Sequence, residues 1–194
     1  MAPPVISDEV VRRAQRGDKA AFEAIVAEFQ TSIFNYILRA VGDRALAEDL
    51  TQDVFMRVYQ KLPRFSFRSK FTTWLFQVAK NRVVDEFRSR ERRPPAEEIE
   101  YETLRAADPL PEQSATIDAI WRAVERLPLD LRMSLLLRDV SGFTYDEIAD
   151  ITEATLATVK WRIYQARELV AQSVADEGLI EARPQRARAA ARVG

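Results

Sequence analysis

Lys160, Trp161, Tyr164 and Gln165 share one face of a helical repeat near the C-terminus, and side chains of these types reach phosphates and base edges from a major groove. They belong to the stretch 144–169, TYDEIADITEATLATVKWRIYQAREL, whose opposite face carries Val159, Ile163, Ala166 and Val170 at helical spacing. Thr144 and Glu147 have the hydroxyl-x-x-carboxylate spacing of a capping box, and Ile148 and Ala149 then face inward. The stretch reads as a short helix, a tight turn and a longer helix, the layout of a helix-turn-helix. A second group lies over 65–93, FSFRSKFTTWLFQVAKNRVVDEFRSRERR. There Phe65, Phe67, Phe71, Trp74, Phe76 and Phe87 alternate with Arg68, Lys70, Lys80, Arg82, Arg88, Arg90, Arg92 and Arg93. Aromatic faces stack on bases and cations neutralise a backbone, a pattern suited to single-stranded nucleic acid. Phe65 and Phe67 fall in a loop, where packing explains aromatics least well. Trp74 and Phe76 suit a core better, and Trp121 reads as structural. Trp161 has two readings, packing on its own domain or facing DNA.

The composition removes most enzyme chemistry. No Cys and no His occur among 194 residues, so disulfides, thiolate nucleophiles, imidazole bases and the usual zinc sites are excluded. No acidic loop has the spacing of a carboxylate metal site, and no nucleophile–base pair or phosphate loop can be assembled. Catalytic residues, metals and cofactors are therefore not expected. The net charge is −1, whereas a free-standing DNA-binding domain is usually basic. The charge is segregated instead, basic over 57–93 and acidic over 94–118, and the acidic part would discourage DNA binding by the isolated chain. No apolar run reaches the roughly 18 residues of a membrane span, and MAPPVISDEV lacks a secretory pattern. Cytoplasmic residence without membrane insertion is the expectation.

The elements that must position these groups are helices. A hydrophobic content of 47% with only 5 Gly and little strand-like alternation predicts an all-α chain of one or two small domains. Helices are expected over 7–16, 19–41, 44–62, 71–90, 114–127 and 129–139, ahead of the helix-turn-helix. Phe22, Ile25, Val26, Phe29, Ile33, Tyr36 and Ile37 mark the inner side of the second, and Pro63 stops the third. That third helix shows Glu48, Asp49, Gln52, Asp53 and Arg57 on one polar face, a pattern that suits an interface and equally a solvated surface. Residues 91–113, with Pro94, Pro95, Pro109 and Pro111, read as a linker, and the arginine-rich end after 175 as a disordered tail.

Taken in order, these segments resemble the bacterial sigma factors of the extracytoplasmic-function group, in the sigma-70 family. The likeness spans 18–93 and 116–174. AEDLTQDVFMRVYQKLPRF (47–65) is similar to the clamp-binding helix, FTTWLFQVAKNRVVDEFR (71–88) to the promoter-melting helix, and RLPLDLRMSLLLRDVSGFTYDEIADI (126–151) with ATVKWRIYQAR (157–167) to the sigma-4 domain. The resemblance implies two small helical domains joined by a flexible linker: sigma-2 over 1–93, a linker over 94–113, sigma-4 over 114–174 and a tail over 175–194. It implies binding of core RNA polymerase at clamp and flap, reading of promoter DNA, and an anti-sigma partner. By resemblance Glu48, Asp49, Gln52, Asp53 and Arg57 meet the clamp. Phe65, Phe67, Arg68, Lys70, Lys80, Asn81, Arg82, Asp85 and Arg88 meet the minus-ten strand, and Thr158, Lys160, Trp161, Arg162, Tyr164 and Gln165 the minus-thirty-five duplex. Asn81 offers a base edge both a donor and an acceptor, whereas an ionised Asp85 only accepts and so favours an exocyclic amine.

The recognition helix departs from the common family pattern P-V-G-T-V-K/R-S-R. Thr155 stands for Pro, Ala157 for Gly, Trp161 for a small Ser, and Gln165 for a residue that is often basic. Gln favours adenine where Arg favours guanine, so an altered minus-thirty-five preference is expected. A dimeric helix-turn-helix regulator of operators is the alternative, and it leaves the aromatic-basic block without a role. A protein-binding adaptor leaves the Lys160–Gln165 face unexplained.

Overall fold

Most helices begin where the chain supplies a side-chain oxygen to cap them. The computed structural model describes residues 3–92 and 115–179. It contains α1 (Asp8–Gln15), α2 (Lys19–Val41), α3 (Arg44–Lys61), α4 (Phe71–Glu91), α5 (Ala115–Glu125), α6 (Leu129–Leu135), α7 (Tyr145–Thr152) and α8 (Leu156–Asp176), with no strand among the described residues. Ser7, Asp18, Asp43, Thr144 and Thr155 each accept a backbone N–H from the first turn that follows. Gly42 ends α2 at φ 73°, a left-handed cap that a side chain would strain. Pro63 sits in the 3-10 turn Leu62–Arg64 that closes α3. The linker expected over 94–113 lies outside the described residues, as do residues 180–194 of the expected tail. Residues 175 and 176 are still helical, because Val174 anchors the end of α8 in a small cluster with Ala119 and Ala123 of α5.

Helices α1 to α4 pack around α2, whose Ile25, Phe29, Ile33, Tyr36 and Ile37 are fully buried. Helices α5 to α8 form a second bundle on Leu136, Leu137, Ile148, Ile151, Val159 and Ile163. Between α6 and α7 the chain widens into a π-helical turn, Leu136–Val140, in which the Ser141 N–H donates to the Leu136 carbonyl at 2.9 Å. That turn delivers Phe143 to the first bundle, edge-on to Phe76 with ring centroids 4.8 Å apart. The two bundles thus share one continuous core. Arg132 of α6 fastens the other side of the junction by donating to the carbonyls of Ala40 in α2, Glu125 and Leu127, and Arg39 of α2 lies 3.7 Å above the Trp121 ring.

Candidate nucleic-acid interface

The recognition helix presents an outward face on which Lys160, Trp161 and Tyr164 are exposed among the described residues. Thr155 caps α8, its hydroxyl accepting from the Thr158 N–H at 3.2 Å while the two hydroxyls lie 2.8 Å apart. Val159, Ile163 and Ala166 turn into the core as their spacing requires. The opposite side projects outward: Trp161 is 57% exposed and Tyr164 62%, with Lys160 also exposed beside them. Such large aromatics in water are costly unless something covers them in use. Of the other residues expected on this face, Gln165 is half-buried, Thr158 is partly engaged by Thr155, and Arg162 is paired with Asp130 of α6. Leu156, at the helix start, is also exposed and escaped the sequence reading because it carries no polar group.

The aromatic loop differs from its expectation. Phe65 is 8% exposed, not a free platform: its ring lies 5.0 Å from Trp74, 5.7 Å from Phe71 and 4.7 Å from Phe67. The burial follows from the loop's short span between α3 and α4, which turns the apolar ring onto Phe71 and Trp74 of α4. Gln15 holds the turn by donating to the carbonyls of Leu62 and Phe65 at 3.0 and 2.8 Å. Phe67 is only half-buried and sits at φ 57°, and the Arg12 guanidinium covers its ring at 4.1 Å. Neither Gln15 nor Arg12 has a sequence signal that ties it to this loop, since both reach it from a distant helix. Arg68 and Lys70 are exposed, as a phosphate contact requires.

On α4 the polar groups are paired rather than free. Arg82 bridges Asp53 at 2.9 Å and Glu86 at 3.2 Å, and Asp85 meets Arg57 at 3.0 Å. Asn81 is half-buried and Arg88 exposed. Asp53 and Arg57, expected to meet a protein, are therefore ion-paired to Arg82 and Asp85, expected to meet DNA. Glu48, Asp49 and Gln52 of α3 are exposed, with Glu48 bonded to Arg44. Met56 and Tyr59 stand beside them, 61% and 55% exposed. They follow Gln52 by four and seven positions, so helical spacing could have placed them on that face. Phe55 by contrast is core.

Lys70 and Lys80 face α7. The Lys70 ammonium lies 2.8 Å from Glu147, and Lys80 lies 3.7 Å from Glu153, whose other oxygen accepts from Gln77 at 3.1 Å. Burial pushes the Glu147 carboxyl upward, but hydrogen bonds from Lys70 and from the Thr144 N–H and hydroxyl outweigh it and leave the group below its ordinary range. The bond to Glu147 raises the Lys70 ammonium in turn. Among the described residues no cluster of His, Cys, Asp or Glu is arranged to hold a metal, and no helix is long and apolar enough to cross a membrane.

Two family models match the chain, Sigma-70 region 2 over residues 25–93 and Sigma-70, region 4 over residues 117–170. The chain is 35% identical to the RNA polymerase sigma-H factor of Pseudomonas aeruginosa over 84% of its own length and 90% of that protein's. It is 34% identical to the ECF RNA polymerase sigma-E factor of Escherichia coli over 87% of its length and 95% of that protein's. Its fold is similar to the sigma factor RpoE of Bartonella quintana, solved with the anti-sigma factor NepR, at TM-score 0.65 and 22% identity over 79% of this chain and 96% of that one. CnrH, solved with the cytosolic domain of CnrY, superposes with the same TM-score of 0.65 over 87% of this chain and 96% of that one.

Proposed function

The chain belongs to the extracytoplasmic-function group of the sigma-70 family, a sigma factor for transcription initiation by RNA polymerase, and from that premise we propose how its residues divide the task. Helix α8 enters the major groove of the minus-thirty-five element with Lys160, Trp161 and Tyr164 foremost and Thr158, Arg162 and Gln165 at the margin. The exposed aromatic pair on α8 is the observation that carries this reading. Trp161 replaces a small side chain with a flat apolar one, which favours a thymine methyl group over a hydrogen-bonding edge.

Helix α4 and the loop before it take the minus-ten strand. Arg68, Lys70, Lys80 and Arg88 hold phosphates, Asn81 and Asp85 address base edges, and Arg82 ties this helix to Asp53 of α3. Phe65 forms the wall of the pocket rather than its stacking surface, which leaves Phe67, with Arg12 displaced, as the ring a base can reach. Glu48, Asp49, Gln52, Asp53 and Arg57, with Met56 and Tyr59, make the clamp contact, while α5 to α8 meet the flap. Relatives of this fold bind anti-sigma factors, and a partner of that kind is proposed for this chain. The chain supplies no chemistry of its own; the polymerase does.

Run-off transcription with purified bacterial core polymerase on a randomised promoter pool tests the reading. Start sites that depend on the added chain and share two spaced elements are expected. Tight binding of a palindromic duplex by the chain alone, with no such start sites, would replace it by a dimeric operator-binding regulator.

A further inference from the structure

We propose that α1 is a working part of the minus-ten site: Gln15 fixes the path of the aromatic loop, and Arg12 guards the ring that a base takes. The inference rests on the assignment of that loop, and of Phe67 within it, to the minus-ten strand. Val11 is fully buried and Ala14 nearly so, which seats α1 on the first bundle by its apolar side. Arg12 and Gln15 stand three positions apart, as surface neighbours do on a helix, and both reach the loop. The Gln15 amide donates to the Leu62 carbonyl at 3.0 Å and to the Phe65 carbonyl at 2.8 Å. A side-chain amide has two N–H donors, enough for both carbonyls. Leu62 opens the 3-10 turn and Phe65 caps it, so one side chain pins both ends of that turn. Past the loop, the Thr72 hydroxyl in the first turn of α4 donates to the Pro4 carbonyl at 3.1 Å. Residues 4–15 thus grip the chain before and after the residues that meet the strand.

The middle of the loop shows what the grip is for. Phe67 sits at φ 57°, a conformation that a bulky side chain keeps only where its surroundings impose it. Its ring lies 4.7 Å from that of Phe65, and the Arg12 guanidinium covers it at 4.1 Å. The neighbouring Arg13 is paired with Asp18, whereas Arg12 places its charge on the ring. A guanidinium and a nucleobase are both planar and both stack on an aromatic face. A base therefore reaches Phe67 only by displacing Arg12. A base that stacks weakly loses that competition, and one that stacks strongly wins it. Arg12 sharpens the choice of base rather than adding affinity, and Gln15 keeps the ring where the choice is made.

The test uses the full chain with core polymerase, scoring transcripts from promoters randomised within the minus-ten element. Phe67→Ala marks the position at which the ring is used, because base preference there should fall about tenfold. Arg12→Gln should lower preference at the same position about two- to fivefold, the range an exposed cation–π contact allows. The sign is particular: output from the disfavoured promoters should rise, while the favoured ones change little. Arg12→Lys keeps a cation over the ring and should retain most of the preference. Added to Phe67→Ala, Arg12→Gln should change nothing further at that position. Gln15→Met keeps the length of the side chain without its donors and should lower the same preference about fivefold. Arg16→Gln, an exposed cation at the end of α1, controls for lost surface charge. Arg12 is itself exposed, so Arg12→Gln keeps the fold and decides the matter even if Gln15→Met does not fold. An even fall in output with Arg12→Gln, or an effect equal to that of Arg16→Gln, overturns the proposal. So does a folded Gln15→Met protein with unchanged preference. Preference lost with Phe67→Ala but kept with both α1 variants removes the role of α1 alone. Preference that survives Phe67→Ala removes Phe67 from the strand site, and the assignment beneath the inference fails first.

Discussion

Tyr36 lies wholly inside the first bundle, edge-on to Phe76, and its hydroxyl has no hydrogen-bond partner among the described residues. Burial drives its titration far above the ordinary phenol range. A buried hydroxyl without a partner opposes folding, so Tyr36→Phe should stabilise the chain by about 1 kcal/mol in chemical denaturation. Phe65 and Trp161 make the opposite pair. Phe65→Ala empties an aromatic cluster and should lose about 3–5 kcal/mol. Trp161→Ala removes an exposed ring and should leave stability within about 0.5 kcal/mol. It should instead lower selectivity for the chain's own minus-thirty-five element about tenfold, scored by competition between promoters. A Trp161→Ala protein that unfolds early would place the ring in packing rather than on DNA.

At the scale of elements, α7 shows how one residue serves two structures. Glu147 closes the capping box at the start of the helix and holds Lys70, the residue that precedes α4. Its folded carboxyl titrates below the ordinary value, so its contribution is complete above that value and is lost as pH falls through the folded one. The stability difference between the natural chain and Glu147→Gln should therefore be present at neutral pH and shrink towards zero below about pH 4. A difference that persists in acid would assign it to the cap instead. The helices themselves were legible in the sequence because their limits are local: Asp18, Asp43, Thr144 and Thr155 begin helices, and Gly42 and Pro63 end them. The inner face of α8 was legible for the same reason. What could not be read was set by distant partners. Phe65 turns inward because Phe71 and Trp74 of α4 pack against it, Arg12 finds Phe67 from α1, and the polar side of α4 meets a helix more than fifty positions further on. Met56 and Tyr59 have the spacing of the polar face of α3 but carry no charge, so only their exposure in the structure marks them as part of it.

The whole molecule is two bundles with a shared core, and Arg132 of α6 is one tie that spans them. Its guanidinium donates to the Ala40 carbonyl near the C-terminus of α2 while bracing the turn between α5 and α6 through the carbonyls of Glu125 and Leu127. Arg132→Ala should leave those carbonyls unpaired and loosen the junction by about 1–3 kcal/mol. Denaturation should then separate into two transitions, with faster amide exchange at the end of α2. A single transition with unchanged exchange would show that the aromatic contact of Phe76 with Phe143 suffices to join the bundles. The placement of the indoles has a practical consequence. The chain holds 3 Trp, and each occupies a different kind of place. Trp74 lies in the aromatic cluster of the first bundle, Trp121 lies under Arg39 across the junction, and Trp161 stands in solvent on α8. Indole emission shifts to longer wavelength as water reaches the ring and is quenched when a base stacks on it. The unlabelled protein is thus its own fluorimeter, with Trp121 brightening or reddening as the bundles part and Trp161 dimming as a duplex arrives, so that the order of the two events can be read in one stopped-flow trace.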